Sequence, residues 1–473
     1  MTIPDGHGRE IEYSERTRAM QEDAMRHVLI SLSHYEDVER SGVKIIERGE
    51  GCYVFDADGR RYLDTFASLL TSVCGHHRPE VHQAMLEQMR RIEFYPVYHD
   101  CITPVVIELS KRLAALAPGD LEVSYLVSDG SDATESAIKM ARQYFYETGQ
   151  PGRYKILYRR NSYHGASMGA MAATGLQWFR EVQPPVAPGF VQVMAPNPYR
   201  CELGLDPEQS ARMALCNTEA IINWEGPQSI AAMILDPVPG SNTGFPMPPA
   251  GYIEGVRALC DRHGILLIFD EVQVGFGRTG KWFCCENWGV VPDILAVAKG
   301  FSGGYLPLGA AIARKPIADA FHEAGQGFRH VHTYSGHATA CAATLANIEI
   351  IETEGLVQRS AELGAYLSAK LEGFYKYPFV GDVRGVGTLW AVELVADRET
   401  REPLSPAGQA GGFISKRCRE RGMILRNNGD ILVMAPALVM TDAQADEMID
   451  LLDKAIADAF NECDALARPT GAT

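Results

Sequence analysis

Basic residues are in short supply: 44 lysines and arginines stand against 60 aspartates and glutamates, a net charge of −16. They gather into no basic block. Proteins whose main partner is nucleic acid usually carry a concentrated positive footprint, so that class is disfavoured. No stretch approaches the roughly 18 apolar residues of a spanning helix. The N-terminus, MTIPDGHGREIEYSERTRAM, lacks the apolar core of a secretory signal. Eleven cysteines in 473 residues make no disulfide scaffold. Cys284 and Cys285 are adjacent, without the CxxC spacing of a metal or redox site. The expectation is a soluble protein of a reducing cytoplasm, of two or three domains given its length.

What is present is more specific. A short aliphatic run at 265–269 ends on an acid, Asp270, and a second at 294–297 leads almost directly to a lone lysine, Lys299. An acid at one strand end and a lysine just past the next suit pyridoxal phosphate. The lysine anchors the cofactor covalently and the acid keeps its pyridine nitrogen protonated. Glycines 300, 303 and 304 after the lysine permit close backbone approach.

From about 120 to 335, β runs at 123–128, 155–158, 230–235, 265–269, 294–297 and 310–313 alternate with helical patterns. That alternation predicts a mostly parallel sheet covered by helices on both faces. Ligands in such sheets gather beyond the carboxyl ends of the strands. Asp270, Lys299 and the 129–131 turn all fall there. Gly130 and Ser131 open a helix whose free N–H groups favour an anion, although Ser131 as a simple cap is the alternative. Asp129 and Asp132 flank that site and oppose a phosphate. The same stretch matches neither GxGxxG nor GxxxxGK[ST]. Tyr163, in a Tyr163-His164-Gly165 run, is placed to stack on a planar cofactor or to pack in the core. Histidines 330, 332 and 337 have no local acid or cysteine partner, so no metal site is expected, and Thr333 and Ser335 are candidate phosphate donors.

The domain expectation is a segment 1–75 that supplies part of a small domain, a large domain 76–340 and a small C-terminal domain 341–473. Residues 51–63 read as a hairpin with an Asp-Gly turn. Thr441 and Gln444 form a capping box for the last helix, and 466–473 read as a disordered tail.

With these residues in hand the sequence resembles the class III aminotransferases, the ω-transaminase or ω-amino acid:pyruvate group of fold-type-I pyridoxal phosphate enzymes. The likeness rests on DEVQVGFGRTG (270–280), AKGFSGGYLPLGA (298–310), DGSDATESAIKMAR (129–142), YHG (163–165) and HTYSGH (332–337). It implies an α/β fold: a large domain on a mostly parallel seven-stranded sheet, and a smaller α+β domain from both chain ends. It implies that Lys299 is the Schiff-base lysine and that Asp270 pairs with the pyridine nitrogen. Val272 and Tyr163 would sandwich the ring, and Gly130 and Ser131 would hold the phosphate. His164 and Asp236 would lie beside the cofactor, Asp236 where the family commonly has glutamate. Thr333 would reach the phosphate of a neighbouring subunit, making a homodimer with shared sites.

Two departures bear on substrate. The resemblance suggests an arginine in a PPLVMTR segment where this chain has APALVMTDAQ, with Asp442 in its place; Val433 and Met434 stand where other members have an arginine slightly earlier. Leu70 stands where amine-accepting members often place tryptophan, leaving room for bulky amines. Arg180, Arg329 and Arg426 are the candidate replacements for a carboxylate partner. The expected reaction moves the amino group of a primary amine, diamine or ω-amino acid to a 2-oxo acid, expected to be pyruvate. The alternatives are a decarboxylase or aminomutase of the same fold, or an ornithine- or 4-aminobutyrate-type enzyme using 2-oxoglutarate.

Overall fold

The computed structural model describes residues 3–4, 10–11, 13–32, 35–201, 203–463 and 466. The expected disordered tail therefore lies, beyond Leu466, outside the described residues.

The large domain is built on seven strands: β1 (Leu121–Val127), β2 (Lys155–Arg159), β3 (Phe190–Val193), β4 (Ile230–Leu235), β5 (Leu266–Asp270), β6 (Ile294–Val297) and β7 (Gly309–Arg314). Their spatial order is β1-β7-β6-β5-β4-β2-β3. Only β7 runs against its neighbours, pairing antiparallel with both β6 and β1. Every residue of β4 and of β6 is buried. A parallel sheet covered on both faces has no solvent side, which is why these strands read as unbroken apolar runs rather than as alternation. Register sets Asp270 beside Ala296, two residues before Ala298 and three before Lys299. The helix α1 (Gly130–Glu147) starts directly after β1 and buries Ala133, Ala137, Met140 and Ala141.

Helix α2 (Ala338–Thr353) corrects the expected domain boundary. It is apolar nearly all round, and such a helix must be buried. It packs on the helices Pro79–Arg91 and Pro104–Leu116, and its residues join the large-domain core. A boundary at 341 thus falls inside a large-domain helix, and the small domain's share begins after it.

The small domain draws on both ends of the chain. One sheet holds β8 (Val380–Val386), β9 (Leu389–Leu394), β10 (Arg426–Asn428) and β11 (Ile431–Met434) in the order β8-β9-β11-β10. A second joins Ile46–Glu50 and the 51–63 hairpin to Met423–Ile424, which lies parallel to Arg61–Asp64. Leu63 from the N-terminal part and Trp390, Leu432, Met448 and Ile456 from the C-terminal part share one core. The last helix, α3 (Asp442–Glu462), starts as read: Thr441 Oγ1 accepts from the Gln444 N–H at 3.2 Å, and Gln444 Oε1 accepts from the Thr441 N–H at 3.0 Å.

Cys284 and Cys285 are buried core residues whose backbone N–H groups donate to Glu271 at 2.5 and 2.7 Å. That buried carboxylate, its pKa pushed up to about 7 by burial, folds the loop after β5 back on itself. Further along the loop, the buried Arg278 crosses to the small domain. Its Nη1 donates to the carbonyls of Ala435 at 3.0 Å and Pro436 at 2.5 Å, and its own carbonyl accepts from the Thr388 N–H at 2.9 Å. Burial lowers its pKa to about 9, and Asp64 offsets only part of that shift. Replacing it should strand buried carbonyls, each costing about 1–3 kcal/mol. Arg278→Met is therefore expected to destabilise the protein by about 2–4 kcal/mol, read as a lower midpoint in guanidinium chloride.

Candidate functional site

A cavity of about 400 Å³ opens at the carboxyl edge of the sheet, with Ser131, Tyr163, Asp236, Asp270, Val272 and Lys299 in its wall. The strand-end placements read from the sequence converge here because β1, β5 and β6 all point the same way.

Lys299 sits just past β6 with φ +50°, a left-handed conformation that a non-glycine residue holds only at a cost of about 1–3 kcal/mol. Burial lowers its pKa; Asp270 opposes that shift, Arg426 reinforces it and Asp129 opposes it again. A lowered pKa eases loss of the proton, which the amine must give up to act as nucleophile or base.

Asp270 is 5% exposed. Its Oδ1 accepts from the Val272 N–H at 3.0 Å and its Oδ2 lies 2.8 Å from His164 Nδ1. A carboxylate only accepts, so Nδ1 carries the proton. His164 is itself fixed on the far side: its N–H donates to Thr174 Oγ1 at 3.0 Å and its carbonyl accepts from Thr134 Oγ1 at 2.6 Å. Sequence reading placed His164 beside the cofactor. The geometry makes it chiefly the residue that orients Asp270, and Thr134 and Thr174 behind it carried no signal of their own.

Asp236 lines the cavity with its carboxylate already engaged. Oδ1 meets the buried Arg159 Nη2 at 2.6 Å, and Oδ2 accepts from the Gly240 N–H at 3.1 Å. Arg159, which the sequence did not single out, is the counter-charge that lets an acid stand there.

At the start of α1, Gly130 and Ser131 present N–H groups that no preceding turn of helix can use. Of the two acids that opposed a phosphate here, Asp129 turns its Oδ1 to cap the Asp132 N–H at 2.9 Å, and Asp132 faces His332 at 3.5 Å. Space is tight: a Cβ on Gly130 would stand 2.7 Å from Val272 Cγ1. Gly165, at φ +126°, would put one 2.6 Å from Ser131 Oγ. A helix N-terminus, a paired acid, a lysine of lowered pKa and room for a ring between them match the donor set that pyridoxal phosphate needs.

Other sequence-derived candidates land elsewhere. Leu70 is 1% exposed and packs with Phe66, Val238 and Phe245, away from the cavity. The neighbouring Leu69 reaches the wall instead. The cause is a left-handed turn in which Ala67, Ser68, Leu69 and Leu70 all have positive φ. It is pinned by Asp64, which accepts from the N–H groups of Phe66 at 3.1 Å and Ser68 at 2.6 Å. Thr333 is exposed and outside the wall. Ser335 is buried and donates to the Leu126 carbonyl. Among the described residues, no cluster of three or more histidines, cysteines or acids could hold a metal ion.

The arginine question is settled by position. Asp442 opens α3 with its side chain 59% exposed and pairs with Arg359 at 2.7 Å, so its charge does not bear on the cavity. Val433 and Met434 are buried in β11. Arg180 bonds the Tyr158 hydroxyl and lines a separate cleft, and Arg329 is exposed and donates to Gln326. Arg426, on β10, is the candidate whose charge is felt at both Lys299 and Tyr163.

Residues 35–456 match the family described as aminotransferase class-III. The chain is a class-III aminotransferase. It is 40% identical to a thermostable (S)-enantioselective omega-transaminase from Thermomicrobium roseum, with a TM-score of 0.91 over 94% of this chain and 99% of that one. It is 38% identical to an amine transaminase from an uncultivated Pseudomonas species solved in its pyridoxal-phosphate-bound form, with a TM-score of 0.88 over 91% and 98% of the two chains. It is also 34% identical to a putrescine–pyruvate aminotransferase of Pseudomonas aeruginosa, over 93% of this chain and 96% of that protein. This class-III aminotransferase is a pyridoxal-phosphate-dependent enzyme that passes an amino group between an amine or amino acid and a 2-oxo acid.

The contact between Gly130 and Val272 yields a direct test. Gly130→Ala is expected to weaken pyridoxal phosphate binding at least about tenfold, or ~1.4 kcal/mol, measured by titrating the absorbance of bound cofactor. Adding Val272→Ala should return part of that loss, whereas a glycine needed only for chain flexibility would show no rescue.

Proposed function

We propose that the amino donor is a primary amine, diamine or ω-amino acid and that the acceptor is pyruvate. The observation that carries this is the make-up of the cavity wall, which among the described residues contains no arginine and has Lys299 as its one lysine. A carboxylate on the reacting carbon finds no counter-charge in the wall itself and must reach Arg426 at the rim to avoid the several kcal/mol that unpaired burial costs. A donor without such a carboxylate meets no penalty. The similar putrescine–pyruvate enzyme supports the same donor class. Asp442 plays no part in this selectivity, since it pairs with Arg359 at the start of α3.

Pyridoxal phosphate, when bound, supplies the carbonyl that captures the amine and the electron-withdrawing ring that makes the neighbouring C–H bond acidic. Lys299 would serve as covalent anchor and then as base and acid, taking a proton from the substrate carbon and delivering it to the carbon on the other side of the shared nitrogen. Burial lowers the pKa of Nζ, which suits the first task, and the lysine's strained backbone fixes where Nζ can reach. Asp270, oriented by His164, holds a proton at the ring nitrogen by charge. Gly130 and Ser131 bind the phosphate through backbone N–H groups. Val272 and Tyr163 bound the ring. Asp236, held by Arg159, shapes the wall beside it. The acceptor's carboxylate is received by Arg426 from the rim.

Assembly completes the site. Thr333 is exposed between the exposed apolar residues Val331 and Tyr334, at 61% and 60%. These support a homodimer in which Thr333 reaches the phosphate bound by the other subunit.

Three outcomes are expected. Lys299→Ala should abolish turnover with pyruvate and any simple amine in a coupled alanine assay; wild-type rates would sink the assignment. Arg426→Leu should raise KM for pyruvate at least about tenfold while the half-reaction with an aliphatic amine, followed by cofactor absorbance, changes little. The loaded enzyme should scatter light as a dimer and release cofactor on dilution to monomer, because ligand and assembly are linked. A monomer of full cofactor affinity would contradict the shared site.

A further inference from the structure

The loop at 330–335 lies outside the cavity wall, yet it grips from both sides the turn 128–131 that stands in that wall. Before the turn, the Tyr125 hydroxyl donates to the His330 carbonyl at 2.9 Å, and Ser335 Oγ donates to the Leu126 carbonyl. After it, His330 Nε2 lies 3.1 Å from Ser136 Oγ, and His332 Nδ1 lies 3.5 Å from Asp132 Oδ2. Both of those partners belong to the first two turns of α1. The two imidazoles meet Nε2 to Nε2 at 3.0 Å.

These contacts admit one arrangement of hydrogens. His330 Nδ1 lies 3.2 Å from Lys139 Nζ, and an ammonium only donates, so Nδ1 is bare and Nε2 carries the hydrogen. The Ser136 hydroxyl already donates to the Asp132 carbonyl at 2.6 Å and can only accept from His330. His332 Nε2 must then accept as well, which leaves its hydrogen on Nδ1, facing Asp132. A further proton finds no place in this pair. On His330 it would confront the Lys139 ammonium; on His332 it would set two N–H groups head to head.

We propose that His330 and His332 are positioning residues for the cofactor phosphate: as neutral rings they clamp the loop across the turn 128–131, and acid releases the clamp. This deepens the reading of Gly130 and Ser131 as the phosphate's donors and rests on it.

The charges around the pair set the direction. Burial first, then Lys139 and His332, lower the pKa of His330 to about 4, and Glu135 opposes them. Glu135 is committed elsewhere, accepting from Ser167 Oγ at 2.8 Å and from the N–H groups of Gly169 and Ala170 at 2.8 and 3.0 Å. Arg329, the next residue, donates to Gln326, and the neighbouring rings of Tyr125 and Phe328 bring no charge. A clamped His330 binds fewer protons than a free one, so its contribution is lost as pH falls from the ordinary 6.5 towards 4. Asp132 acts in the opposite sense, since burial and then Asp129 raise its pKa while His332 lowers it. The net loss in acid is therefore smaller than His330 alone would give.

The test is equilibrium dialysis of the full chain against pyridoxal phosphate. Between about pH 7.5 and about pH 5.5, wild-type affinity should fall about three- to tenfold further than that of His330→Gln. A glutamine can accept from Lys139 and donate to His332 without taking up a proton. Lys139→Met, which lets His330 keep a proton inside the clamp, should flatten the acid loss in the same way. His330→Ala should bind weakly at both pH values. Full affinity in His330→Ala, or an equal acid loss in wild type, His330→Gln and Lys139→Met, would overturn the clamp. If the glutamine variant does not fold, wild type against Lys139→Met decides. Unchanged affinity in Gly130→Ala would instead defeat the phosphate cradle on which the clamp acts.

Discussion

The site depends on holding one carboxylate in place at the end of a strand buried on both faces. Burying a polar group is costly unless it is hydrogen-bonded. Asp270 has two such bonds, one from the Val272 backbone and one from His164. His164 can serve only because Thr134 and Thr174 fix its backbone in turn. Asp270 is therefore the cavity-facing end of a chain of hydrogen bonds running back into the domain. Lys299 is the other half of the site, and its burial lowers the pKa of the amine.

Beside the cavity the two domains meet through an apolar cluster that includes Phe66, Val238, Phe245 and Val433, and through polar links. Arg278 reaches out of the loop that begins at Asp270 and holds the carbonyls of Ala435 and Pro436. The Ala435 N–H in turn donates to the Thr65 carbonyl at 2.7 Å, just before the left-handed turn that presents Leu69. A loop from the large domain, a strand end from the small domain and the N-terminal segment are thus joined by backbone carbonyls and one guanidinium. Backbone groups are fixed in place more firmly than side chains, and a pocket whose lip is a strained turn needs that firmness.

Much of the architecture was legible in local pattern. Unbroken aliphatic runs marked the doubly covered strands, and Asp270 and Lys299 stood out because a charged residue directly after such a run can only emerge at the sheet's edge. The capping box at Thr441 was equally plain, since both of its hydrogen bonds join residues three apart. Misplacements arose where local pattern is silent. Helix α2 looked like the start of the small domain because its composition changes there, yet an alanine-rich helix apolar all round belongs in the interior of whatever surrounds it. Asp442 looked like a pocket residue by alignment of motifs, whereas its place at a helix start turns it to Arg359 and solvent.

The sequence by itself determined which elements form, which ends of strands carry charge, and that a lysine, an acid and a helix start share one edge. Those follow from side-chain periodicity and from the direction of a parallel sheet. Only the tertiary structure decided that Leu69 rather than Leu70 faces the cavity, because four consecutive positive φ angles reverse the facing that an ordinary turn would give. It also decided that Asp236 is neutralised by Arg159, a partner 77 positions away, and that Arg426 alone among the candidate arginines acts on Lys299. Each of these turns on where distant segments pack, and no local spacing encodes that.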